Sequence, residues 1–113
     1  MKIVKKSQTH SFQNSDVCKA IEYPMGDSDI NGAIIELTGR YPTQGKVVNT
    51  KCKEMAYIIS GSGKLILEKE EIEVNESDLV LIEPNENYCW EGNMTMFVPC
   101  TPVWCQEQYK EVK

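Results

Sequence analysis

The chain has 113 residues, with 12 basic and 17 acidic side chains and a net charge of −5, which is one domain's length. Its 41% apolar content excludes a disordered chain, and its acidity argues against nucleic acid or a membrane surface, which both demand a basic patch. Histidine occurs once, as His10, and arginine once, as Arg40, so a zinc or iron centre of clustered histidines is excluded within one chain.

Met1 to Lys6 is a basic start that reads as a short strand. The polar run Ser7 to Asp16 follows it, with no apolar h-region, so no secretory signal is expected. That run reads as a loop in which Phe12 docks. Strand-like apolar spacing then recurs in Val17 to Tyr23, Gly32 to Thr38, Lys46 to Asn49, Glu54 to Ser60 and Lys64 to Glu68. The last two flank Gly61-Ser62-Gly63, which predicts a hairpin with a glycine turn. In Glu71 to Asn75, Ile72 and Val74 alternate with polar residues, giving one buried and one wet face. Leu79-Val80-Leu81-Ile82 is apolar on both faces, the pattern of a strand between two layers. Asn87 to Glu91 and Met94 to Pro99 complete the series, and the tail from Gln106 is polar, so it is expected to fray or form a short helix.

These pieces divide the chain into an N-terminal strand and polar segment (1–16), a β domain (17–105) and a polar tail (106–113). Short strands spaced by about 8–12 residues point to an all-β sandwich or barrel. No apolar stretch approaches the roughly 18 residues of a transmembrane helix. The five cysteines, Cys18, Cys52, Cys89, Cys100 and Cys105, are odd in number and form no CxxC pair. Free thiols in a cytoplasmic protein are the expectation.

At Glu54 the spacing becomes informative. Glu54, six residues and Gly61 match the end of a motif that runs Gly, five residues, His-x-His, three or four residues, Glu, six residues, Gly. Ser77 to Tyr88 keeps the spacing of a second motif, Gly, five residues, Pro-x-Gly, two residues, His. Over residues 30 to 100 the chain thus resembles the cupin superfamily. The resemblance implies a single double-stranded β-helix, a jelly-roll barrel of the RmlC-like type.

The departures from that pattern bear on function. Val47 and Asn49 stand where the family has two metal histidines, and Tyr88 stands at the third. Of four expected ligands only Glu54 survives, and one carboxylate with an amide and a phenol makes a poor metal site. The barrel therefore carries over, and the family's metal-dependent dioxygenase chemistry does not. A zinc held by Cys52, Glu54 and a neighbour is the disfavoured alternative, because Cys89 alternates with Tyr88 and Trp90 and faces the other side.

Residues two apart on a strand share a face. If the barrel forms, Asn49, Glu54, Tyr88 and Trp90 converge on one cavity suited to a small molecule. The competing reading is ordinary barrel filling, with Glu54 satisfied by backbone donors. Burial would raise the Glu54 pKa and make it a general base or acid with Tyr88 as partner; at an open strand end in water it would have no special property. Arg40, between Gly39 and Tyr41, would either clamp a substrate carboxylate or phosphate or pair with a surface acid.

The sequence thus reads as a metal-independent barrel, without cofactor, that binds a small polar or partly aromatic metabolite. The alternative is a metal-free isomerase, epimerase or lyase acting on a sugar or keto-acid-like substrate through Glu54 and Tyr88. The resemblance further implies a homodimer, formed through a barrel sheet or an exchanged Met1–Lys6 strand.

Overall fold

The computed structural model describes all 113 residues, and nearly all its regular structure is β. The strands are β1 (His10–Ser15), β2 (Cys18–Tyr23), β3 (Asn31–Tyr41), β4 (Lys46–Asn49), β5 (Lys53–Ile66), β6 (Glu71–Asn75), β7 (Leu79–Ile82), β8 (Asn87–Thr101) and β9 (Tyr109–Val112). Every pairing is antiparallel, in the order β1-β2-β3-β8-β4-β9, with β5 on the other side of β8 and holding both β6 and β7. β8 thus lies between β3 and β5 along most of its length and reaches β4 through Tyr88 and Asn87. The sheet curls around a core that includes Leu37, Val47, Ile58, Leu65, Trp90 and Met96. The all-β, cupin-type barrel fold is the one expected from the sequence.

Its details differ in four places. The hairpin predicted at Gly61-Ser62-Gly63 is absent, because β5 runs unbroken from Lys53 to Ile66. The glycines serve a close crossing with β8 instead: Gly61 has φ +85°, and Gly63 stands opposite Gly92. A Cβ at Gly61 would fall 2.1 Å from the Asn93 carbonyl oxygen. A register shift between Ile58 and Ser60 moves the inward face from even to odd positions, so that Ile58 and Leu65 both reach the core. Local turn chemistry cannot separate such a bend from a reversal.

The polar run 7–16 contains strand β1, which pairs with β2, whereas Met1–Lys5 forms no strand. The polar tail forms the expected short helix, a 3-10 turn over Gln106–Gln108, and then adds the unexpected β9, which pairs with β4. Finally, Leu79 and Leu81 do not lie between two layers. They are 61% and 53% exposed, while Ile82 turns inward, because β7 pairs only with β5 and no element of the chain covers its outer face.

Candidate functional site

The inward rows of β2, β3 and β8, with residues of β1, β4 and β9 and Glu54 of β5, line a cavity of about 480 Å³. Strand alternation sets its lining. The even positions of β8 place Tyr88, Trp90, Met96, Val98 and Cys100 on the cavity, and β3 adds Ala33, Ile35, Leu37 and Tyr41. Glu54 enters the same row because it stands opposite Cys100 on β8 and Ile82 on β7.

A connected polar cluster is built around Glu54. Asn49 Nδ2 donates to Glu54 Oε1 and lies 3.3 Å from Tyr88 Oη, while the Tyr88 hydroxyl donates to Glu54 Oε1 at 3.1 Å. Behind Asn49 stands Gln108, whose Nε2 donates to Asn49 Oδ1 at 2.8 Å. Gln108 Oε1 accepts from the backbone N–H groups of Lys51 (3.2 Å) and Cys52 (3.1 Å). Backbone N–H groups only donate, so they fix which way the Gln108 amide points. That orientation in turn makes Asn49 present its NH2 to Glu54. No buried side-chain nitrogen or oxygen lacks a partner.

Both hydrogen bonds to Glu54 end on Oε1. Oε2 has no protein partner, and Glu54 lines the cavity, so this oxygen is available to an occupant. Burial raises the Glu54 carboxyl above the usual range, and the bonds from Tyr88 and Asn49 offset part of that rise. Burial, with the Glu54 charge beside it, pushes the Tyr88 phenol well above its ordinary value. Tyr88 is therefore a standing donor near neutral pH, and Glu54 is the group of this pair that can exchange a proton.

Of the residues singled out from the sequence, Glu54, Tyr88 and Trp90 line the cavity, with the two rings edge to face at 6.5 Å. Asn49 is 1% exposed and does not line it; it holds Glu54 and Tyr88 from behind. Arg40 does not line the cavity either. Its guanidinium donates to the carbonyls of Pro42 (2.5 Å) and Gly45 (2.9 Å), so it braces the β3–β4 turn, not a ligand. Cys89 is fully buried and outside the cavity. Cys52 and Cys100 both donate to the Pro102 carbonyl, at 3.3 and 3.2 Å. No group of three or more His, Cys, Asp or Glu side chains is close enough to hold a metal ion.

The sequence reading missed Gln108, Tyr109, Tyr41, Glu22 and Glu111. Tyr109 donates to Tyr41 Oη at 3.2 Å and stacks obliquely on Trp104 at 5.4 Å, and burial raises both phenols. Tyr109 in the otherwise polar tail, five residues after Trp104, was the available signal, since two large aromatic rings so close together need a surface to pack on.

Together these features describe a cupin-type β-barrel with an aromatic cavity and a hydrogen-bonded cluster around the Glu54 carboxyl. No family model matches the sequence, and no curated protein matches it. Solved structures do. The nucleoside dehydratase Pac13, also solved with uridine as variants of the Streptomyces protein, superposes with a TM-score of 0.89 at 18% identity, covering 100% of this chain and 92% of that one. The polyketide cyclase RemF from Streptomyces resistomycificus gives 0.75 at 15% identity, over 100% of this chain and 86% of its own. KdgF from a Halomonas species gives 0.71 at 10% identity, over 90% and 95%. At such identities the likeness establishes the fold and leaves the activity to the site.

Proposed function

We propose that the protein binds a small, partly aromatic, hydroxyl- or amine-bearing metabolite in this cavity without a metal ion. The observation that carries the reading is the Glu54 carboxyl, oriented through Oε1 and open at Oε2, in the lining of a cavity walled by Tyr88 and Trp90. Ligand sites combine apolar walls with a few converging polar groups in this way. Thermal-shift and calorimetric screening of nucleosides, sugars and aromatic alcohols tests it. A hit that stabilises the protein, and is lost in Trp90→Ala, supports the reading. The same affinity in Trp90→Ala counts against it.

A second reading is catalytic. Glu54 would take or return a proton at a carbon or hydroxyl of the bound molecule, with Tyr88 as the donor that holds Glu54 in place, in an isomerase, epimerase or lyase. The raised Glu54 pKa favours it, since a general base or acid works best near the operating pH. The fold likeness to a nucleoside dehydratase also supports acid–base work in such a barrel. The lining has no Lys, Arg or His to meet a keto-acid carboxylate, so we retain the sugar-like half of the sequence expectation. Turnover of an identified substrate that survives Glu54→Gln would remove this reading.

For assembly, we propose a homodimer through the outer face of the β7–β5–β8 sheet. Leu79 stands opposite Tyr57, which stands opposite Phe97, and Leu81 stands opposite Met55. All five are at least 40% exposed, forming one apolar patch of the kind that marks an interface. A second copy suits it because a two-fold axis across the patch brings the same apolar rows against each other.

A further inference from the structure

The charge of the cavity lining specifies its occupant more closely. Three carboxyl side chains line it, Glu22 on β2, Glu54 on β5 and Glu111 on β9, and no Lys, Arg or His does. None of the three forms an ion pair: the four in the molecule join Lys2–Asp27, Lys19–Glu36, Lys53–Glu83 and Lys64–Glu71. The only guanidinium is held on backbone carbonyls outside the cavity. Negative charge at the site therefore has no internal counterion.

The walls add to this field. Phe12, Tyr41, Tyr88, Trp90, Trp104 and Tyr109 all line the cavity, six of the chain's nine aromatic residues (five Tyr, two Trp, two Phe). An aromatic face carries negative electrostatic potential and attracts a cation placed over it. Apolar enclosure also lowers the local dielectric around the buried Glu54, which strengthens the pull of that carboxylate, while the half-buried Glu22 and the exposed Glu111 act through solvent. An anionic ligand would meet three acids and no donor of positive charge, so phosphorylated or carboxylated molecules are disfavoured.

We propose that the cavity takes an organic cation, an ammonium carried on a flat, partly apolar body. The ammonium is placed toward Glu54 Oε2, the open carboxyl oxygen, and the body lies against Tyr88 and Trp90. Glu22 and Glu111 contribute the attractive field. The inference rests on the reading of the cavity as a ligand site and adds the charge of what fills it.

Three probes with one indole body test it by calorimetry on the full chain: tryptamine, tryptophol and indole-3-acetate. The expectation is that the amine binds roughly tenfold or more tighter than the alcohol, and that the carboxylate does not bind. In Glu22→Gln/Glu111→Gln, which alters two side chains that take part in no ion pair or side-chain hydrogen bond, tryptamine weakens and tryptophol does not. Equal affinity for amine and alcohol, or binding of indole-3-acetate, overturns the cation inference and leaves the cavity as a ligand site. Failure of all three to bind overturns the cation inference, and the screen of nucleosides, sugars and aromatic alcohols then decides whether the cavity is a ligand site.

Discussion

Gln108 Nε2 donates to Asn49 Oδ1 at 2.8 Å, across 59 residues of sequence. This bond transmits the direction of two backbone N–H groups, those of Lys51 and Cys52, to the Glu54 carboxyl by way of two amides. It also ties β9 and its approach, the C-terminal end of the chain, to the cavity. The prediction is that Gln108→Leu loses about 1–3 kcal/mol of stability in chemical denaturation, because it strands a buried acceptor and two donors. Leu is close in size to Gln, so a cavity alone does not account for a loss of that kind.

Glu54 carries a linked pH prediction. Its folded pKa lies above its unfolded value, so its share of stability is full below about 4.5 and is lost as pH rises through the folded pKa. Glu54→Gln keeps an oxygen for Tyr88 and Asn49 and cannot ionise. Wild type should therefore lose stability relative to Glu54→Gln as pH rises from 4.5, and the two should run parallel below it. Urea midpoints of the two proteins from pH 4 to 8 show whether the curves diverge upward in pH.

The legible part of this molecule was the spacing. Glu54, Tyr88 and Trp90 met on one cavity because strand alternation, the spacing of Glu54 to Gly61 and that of Ser77 to Tyr88 carry over whatever side chains occupy them. Gln108 and Tyr109 were not legible, since a polar residue buried by a complete set of hydrogen bonds looks in sequence like one facing water. The apolar run at Leu79 to Ile82 misled for the converse reason. Alternate leucines signal a covered face without saying whether the cover comes from the same chain.

The β5 crossing predicts a backbone effect. Gly61→Ala places a methyl against the Asn93 carbonyl in a left-handed conformation, and a loss of about 1–3 kcal/mol is expected. Ser62→Ala, one residue away on the exposed side, should change stability by less than about 0.5 kcal/mol. A glycine turn in a simple hairpin would place the strain on Gly61 without needing Asn93. Replacing Asn93 by Gly leaves its carbonyl in place and so should not rescue Gly61→Ala.

The outer face gives a prediction about assembly. Leu81→Asp puts a charge in the centre of the patch formed with Met55, Tyr57 and Phe97. Sedimentation of wild type should show a dimer and that of Leu81→Asp a monomer with an unchanged far-UV spectrum. A monomeric wild type at tens of micromolar would remove the proposed interface.

The most direct test of the central claim is a protein-observed NMR titration with tryptamine and uridine, following the indole N–H signals of Trp90 and Trp104 and the side-chain amides of Asn49 and Gln108. Saturable shifts are predicted at Trp90 and at the Asn49 amide, the group that touches Glu54, with tryptamine giving the tighter response. Shifts confined to the outer face around Tyr57, Leu81 and Phe97, with the cavity signals unmoved at millimolar ligand, would contradict the account.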